Sequence, residues 1–404
     1  MLRKISFILF LAITLSGEGM LTVTLLWTIL DKGGSAINIG LILAIMSVVP
    51  FLIQKYVRPV RTVLTHRPLQ VFALARLGGL VVLGLPLLFP EEMMIYSLYL
   101  LAGLFSVILF LSIQSLEAYM SHMVLEGALS ADQASNTLQT SIQIGAFGGN
   151  DLAGLLLSLG GFFTVMIGLA VSLGIGMVLP YVASFFAAAL NPQKREQEKT
   201  IKQTEITEES RKKILQLTVF AVALLTVQLA SFNFLLPILF HDVREWGSLE
   251  YGLVSSAAGV GAFLATIIGR WVRYVPHHSF LLIAVLDIFI AFFAFWPAVV
   301  IMSFLLGFVF NRNRIVQRSM MFAYIKNKEE TTLWSSRSTL AFQLMKAIVP
   351  LVLVFPLFFV GNQQAGLIFS CIGVIVSAGM YLIYSREKGL EKGLLENDKV
   401  KLAN

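Results

Sequence analysis

The sequence predicts an all-α membrane protein with twelve transmembrane helices in two six-helix bundles, and three observations carry that reading. Of its 404 residues 57% are hydrophobic and only 13% charged, where soluble domains carry about a quarter. Continuous apolar runs recur along nearly the whole chain, and one long polar stretch, 191–213, divides them six and six. The basic residues also fall in alternate connections. A β-barrel is excluded, because its strands read as short, weakly alternating segments.

A helical span needs about 20 apolar residues. Twelve runs qualify: 5–30, 36–54, 69–89, 93–120, 132–158, 161–190, 214–240, 250–269, 279–295, 297–325, 333–360 and 363–385. The first begins with a basic cluster, as a signal peptide does, but its apolar run continues through Thr22 to Leu30 without a small-residue cleavage pattern. It is expected to stay as the first helix. On this layout 22 of the 30 Lys and Arg residues lie on the side of the termini and two, Lys32 and Arg244, lie opposite, which predicts that both termini are cytoplasmic. The expected units are 1–190 and 214–385 as bundles, 191–213 as a cytoplasmic linker, and 386–404 as a cytoplasmic tail.

Polar groups inside the spans are the candidates for function, since they are costly in a bilayer unless they face a cavity or a partner. Glu18 lies mid-span in the first helix between Gly17 and Gly19, where a carboxyl is suited to taking up and releasing protons. The alternative is a structural hydrogen bond to a neighbouring helix. The second span contains Gly40-Leu41 and Phe51-Leu52; the eighth repeats this as Gly252-Leu253 and Phe263-Leu264, at an offset of 212 residues. A weak internal duplication is thereby placed at equivalent points of the two halves. In the fourth span Gln114 and Glu117 share a face. Glu117 is either a cavity carboxylate or a partner of Arg76.

The fifth span brings Gln139, Gln143 and Asn150 onto one face, which suits either a polar solute or interhelical hydrogen bonds. Asp151 is rotated about 100° away. It serves either in proton coupling or in packing. Asp287 in the ninth span reads as structural. The tenth span holds the most specific stretch, Gly307 to Ile325, with three arginines. Asn311, Arg314 and Arg318 project from one helical face and Arg312 from the other. In the eleventh span Gln343 and Lys346 are three apart; Trp334 reads as an interfacial anchor and Arg337 as a snorkelling cation.

Other chemistry is missing from the sequence. Cys371 is the single cysteine, so neither an intramolecular disulfide nor a thiol-based metal or redox site can form. There is no phosphate-binding loop and no His-x-x-x-His; His277-His278 lies in a connection without nearby ligands. An ion gradient, with no cofactor, is the expected energy source. The net charge of +7 follows the membrane sidedness and gives no reason to expect nucleic acid.

With its six-plus-six layout and basic central loop, the chain resembles the major facilitator superfamily of secondary transporters. The approach to the second span, LDKGGSAINIGLILAI, resembles that family's link between helices one and two. After the second span the chain keeps the basic residues of the family motif, Lys55, Arg58, Arg61 and Arg67, but lacks its Asp and glycines. The fifth span, with Gly145, Gly148, Gly149, Gly154, Gly160 and Gly161, looks like a degraded form of the antiporter motif, with Asn150 near the usual proline.

The resemblance implies a fold in which helices one, four, seven and ten border a central path. It further implies a monomeric, proton-coupled transporter of the cell (inner) membrane, an exporter by its glycines, working by alternating access. The expected partners are a small organic anion and membrane lipids. Arg314, Arg318, Lys346, Asn311, Gln343, Gln114 and Gln143 are the expected substrate residues. Glu18, Glu117 and Asp151 are the expected proton-coupling residues. Superfamily exporters of carboxylate-type siderophores are the nearest analogy. The rivals are a multidrug efflux pump of the same fold and a non-transporting membrane sensor or scaffold.

The charge bias makes a direct prediction about topology. A reporter fused after Asn404 should be active only when cytoplasmic reporters are used; activity restricted to the outside would overturn the assignment.

Overall fold

The computed structural model describes residues 2–56, 67–89, 93–125, 131–181, 208–268, 275–324 and 328–403. The first half comprises α1 (Leu2–Asp31), α2 (Ala36–Tyr56), α3 (Pro68–Val82), α4 (Met94–Leu125) and the stretch Ala131–Met177. This last stretch is two helices, α5 (131–160) and α6 (162–177), divided at Gly161, whose φ of 71° and ψ of −162° are non-helical. The chain reverses there, because the Cβ position of Gly168 faces both Leu156 of α5 and Met20 of α1. Only a residue without a side chain takes up that backbone at little cost.

The second half comprises α7 (Glu208–Ile238), α8 (Ser248–Ile268), α9 (Pro276–Phe292), α10 (Trp296–Tyr324), α11 (Lys328–Val360) and α12 (Ala365–Ala403). Among the described residues nine helical stretches are long and apolar enough to cross a membrane, and two shorter apolar helices, Pro68–Val82 and Pro276–Phe292, complete the set. With the longest of the nine folded back at Gly161, this gives twelve helical segments. Two boundaries differ from expectation. α7 begins at Glu208 rather than 214, because Glu208 and Glu209 suit a helix N-terminus and Arg211 turns inward. The residues expected as a tail, 386–403, continue α12 as helix.

The Arg211 guanidinium, 3% exposed, donates to the carboxylate of Glu330 on α11 at 2.7 Å and to the Tyr324 carbonyl of α10 at 2.8 Å. One cation thus joins three helices of the second half. Trp334 is 5% exposed and packs with Leu215 and Met321, while Arg337 lies over its ring. The expected interfacial anchor is instead a core residue, because the ends of α7, α10 and α11 converge around it.

Glycines set how closely the helices approach. Within the second half, a Cβ at Gly307 would meet the Ala258 carbonyl of α8, and one at Gly261 the Phe304 carbonyl of α10. Between the halves, α5 crosses α8 where Gly154 faces Gly252, and α2 crosses α11 where Gly40 faces Val354 and Pro350. The repeated Gly-Leu pair of the sequence therefore occupies both crossings.

Gly307→Ala should lower the thermal stability of the detergent-purified protein by about 1–3 kcal/mol, the usual cost of overpacking. Gly148→Ala, at a position with open space around it, should not. Equal melting curves for the two variants would refute the close α8–α10 contact.

Candidate functional site

The halves enclose a cavity of about 280 Å³. α5 and α8 supply one wall, α7 and α10 another, and α11 contributes Phe342 and Lys346. Four of the expected substrate residues line it: Asn311, Arg314, Gln143 and Lys346. The Arg314 guanidinium lies 5.2 Å from the centre of the Phe342 ring, an arrangement in which a cation is held by an aromatic face. Phe147, Phe232 and Phe310 extend the apolar surface, and Asn150, Gln228 and Asn233 add amides. Among the described lining residues none is acidic.

Two of the expected ligands are spent on packing. Asn311 donates to the Ala262 carbonyl at 2.6 Å and to Thr266 Oγ1 at 3.2 Å, fastening α10 to α8. Gln143 accepts from Thr266 Oγ1 at 3.5 Å across the halves. Asn150, half-buried where α1, α5 and α8 meet, satisfies every partner with its NH₂ on the carbonyls of Ala146 and Gly19, at 3.1 Å each, and its oxygen accepting from Ser255 at 2.7 Å.

Arg318 is not part of the lining. It lies one turn beyond Arg314 toward the face carrying the termini and is exposed, and its charge acts on Glu117 of α4. Glu117, also exposed, accepts from Gln114 Nε2 at 3.1 Å. The sequence left Arg76 as an alternative partner for Glu117. Arg76 is fully buried, over the Phe72 ring at 4.7 Å and against Gly17 of α1 and Gly176 of α6. Asp151 and Gln343 do not line the cavity. The side chains of Glu18, Lys55 and Gln139, with residues Arg58 and Arg61, lie outside the described residues.

The opposite face is closed. Trp27 at the end of α1 stacks on Tyr251 of α8 at 5.7 Å with an interplanar angle of 18°, and meets His241 edge-on at 5.2 Å. Pro237 cannot supply the regular helical hydrogen bond, and just beyond it α7 widens into a π turn, Leu239–Val243. That turn carries His241 between two carboxylates, Nε2 on Asp31 Oδ1 at 3.2 Å and Nδ1 on Asp242 Oδ1 at 2.7 Å. Carboxylate oxygens only accept, so the bridge from α1 to α7 is complete when both ring nitrogens carry protons. Asn362 donates to Asp242 Oδ2 at 2.6 Å and fixes that end. Sequence periodicity could not find this latch, because Asp31 and His241 lie at the ends of two helices, 210 residues apart.

A bundle of two helical halves around a cavity sealed at one face is the architecture of a polytopic membrane transporter. The sequence profile of the Major Facilitator Superfamily matches residues 130–350, more than half of the chain, and the protein belongs to that superfamily. No curated protein matches it in sequence. Among solved structures it is similar to a point mutant of the nucleoside transporter NupG, with a TM-score of 0.64 at 12% identity, covering 95% of this chain and 100% of that one. It is also similar to a bacterial homologue of the human lysosomal transporter Spinster in an inward-facing, unoccupied conformation, with a TM-score of 0.62 at 10% identity and coverage of 95% and 97%. At such identities the likeness speaks for the fold.

Breaking the latch should loosen the closed face. In a Cys371→Ser background, Thr22→Cys on the cavity wall should react faster with an impermeant thiol reagent from that face once Asp31→Asn is added. Unchanged labelling would show that the latch does not hold the seal.

Proposed function

We propose that the protein is a proton-coupled exporter of a small organic anion with an apolar or aromatic body, working by alternating access. The observation that carries this is that Arg314 and Lys346 line one cavity whose described lining has no acid, a setting that suits an anionic ligand. Two cations set in aromatic and amide surface suit a carboxylate, and Arg314 offers the planar fork that a carboxylate matches. Carboxylate-type siderophores remain within that class.

The charge bias assigns the face carrying the termini to the cytoplasm, and the conformation is then inward-open. Glu117 with Arg318 stands at the cytoplasmic mouth. We read this pair as the link between protonation and gating: neutralising Glu117 weakens its hold on Arg318 across the two halves. Glu18 and Asp151 stay proposed as further proton carriers. A multidrug pump is the second reading, favoured by Phe147, Phe232, Phe310 and Phe342 in the cavity. It predicts cationic apolar substrates, which Arg314 and Lys346 would repel. A nucleoside, the substrate class of NupG, would engage the cavity amides but give the two cations no role.

Comparing secreted and retained metabolites in a deletion strain identifies the substrate, and reconstituted vesicles then measure its flux. Arg314→Lys should weaken apparent affinity at least tenfold, about 1.4 kcal/mol, because an ammonium cannot reproduce the fork. Glu117→Gln should abolish gradient-driven flux while leaving insertion normal. Parent-like transport by Arg314→Lys would sink the anion site.

A further inference from the structure

We propose that Asp287 and Gln228 form a buried proton-holding site, in which the Asp287 carboxyl is protonated and closes an acid–amide ring with Gln228. The hydrogen-bond accounting points there. Asp287 on α9 is fully buried and accepts from Gln228 Nε2 of α7 at 2.6 Å. Two other buried oxygens, Asp287 Oδ1 and Gln228 Oε1, have no hydrogen-bond partner among the described residues. Both are acceptors while the carboxyl is ionised, so they cannot satisfy each other. One proton on Oδ1 supplies the missing donor for Oε1 and makes both groups complete.

The surroundings give an ionised carboxylate no compensation. Gly373 of α12 closes over Asp287, and a Cβ there would collide with the carboxyl. Arg244, which reaches the end of α9 from the turn after α7, donates its guanidinium to the carbonyls of Ile290 and Ala291, at 2.6 and 2.9 Å, and lies over Trp246. His277 and His278 stand at the start of α9, with His277 against Tyr381 and Tyr384. The charged residues of α7 are at its beginning, those of α10 begin at Arg312, and those of α12 begin at Arg386. Among the described residues none of these pairs with Asp287.

Gln228 also lines the central cavity, so its amide is the partition between cavity water and Asp287. Displacement of that amide admits water. The Oδ1–H bond then forms with a proton from water at one face and breaks to water at the other, and nothing else is consumed. As a coupling device this rests on the proton-driven reading above; as a protonated site it does not.

Infrared spectroscopy of the full-length protein in liposomes tests it directly. At neutral pH the difference spectrum of parent minus Asp287→Asn, in which the lipid ester bands cancel, should contain the C=O stretch of a protonated carboxyl, and that band should persist in Glu117→Gln. Asn at 287 can keep a paired amide ring and so should fold. Gln228→Leu should leave the band but shift it, because the ring is opened. A missing band, or one unchanged by both Asp287→Asn and Gln228→Leu, overturns the site. The band does not depend on transport, so failure of proton-driven flux in vesicles would remove the coupling reading while leaving the site intact.

Discussion

Placing Arg312, Arg314 and Arg318 on one apolar helix constrains everything around it, because a guanidinium left against hydrocarbon costs several kcal/mol. The structure brings Arg314 to a cavity with an aromatic ring beside it and exposes Arg318 at the mouth. For this to hold, α10 must turn that face to the cavity and not to the lipid surface. The backbone contact of Gly307 with Ala258, and the hydrogen bonds of Asn311 to α8, keep it there. The closed face answers the same constraint from the other end: with Trp27, Tyr251 and His241 packed together, the cavity communicates with one side of the molecule.

The two halves are built to equivalent plans. Gly40 on α2 meets α11 and Gly252 on α8 meets α5, so the short repeat marks two contacts related by the duplication. Around them the halves differ in chemistry. The second half has Arg211 knitting three helices and a buried acid–amide pair, whereas the first packs α1 onto α5 and α6 largely through glycines and serines.

Much of this was legible from residue order. Apolar run length located the spans, and helical spacing placed Arg314 with Asn311 on the cavity face. Periodicity tells which way a side chain points and not what it meets. It could not decide that Asn311 would be held by the Ala262 carbonyl, that Glu117 would feel Arg318, or that Trp334 would be covered by Leu215 and Met321. Each of those partners comes from another helix. Asp287 shows the limit most clearly: on its own helix it is one acid in an apolar run, and its chemistry becomes visible only beside Gln228.

The crossing of α5 and α8 has a kinetic consequence. At Gly154 and Gly252 the backbones touch directly, with the Cβ position of Gly154 only 3.0 Å from the Gly252 Cα. Interdigitated side chains at such a joint would have to change rotamer whenever one half rocked against the other. The two bare backbones can pivot instead, but their flanks are tied, by Asn150 with Ser255 at 2.7 Å and by the Phe147 ring seated on Gly259. The barrier to rocking is then set by those flanking contacts and by the latch, and the glycine pair itself adds little friction.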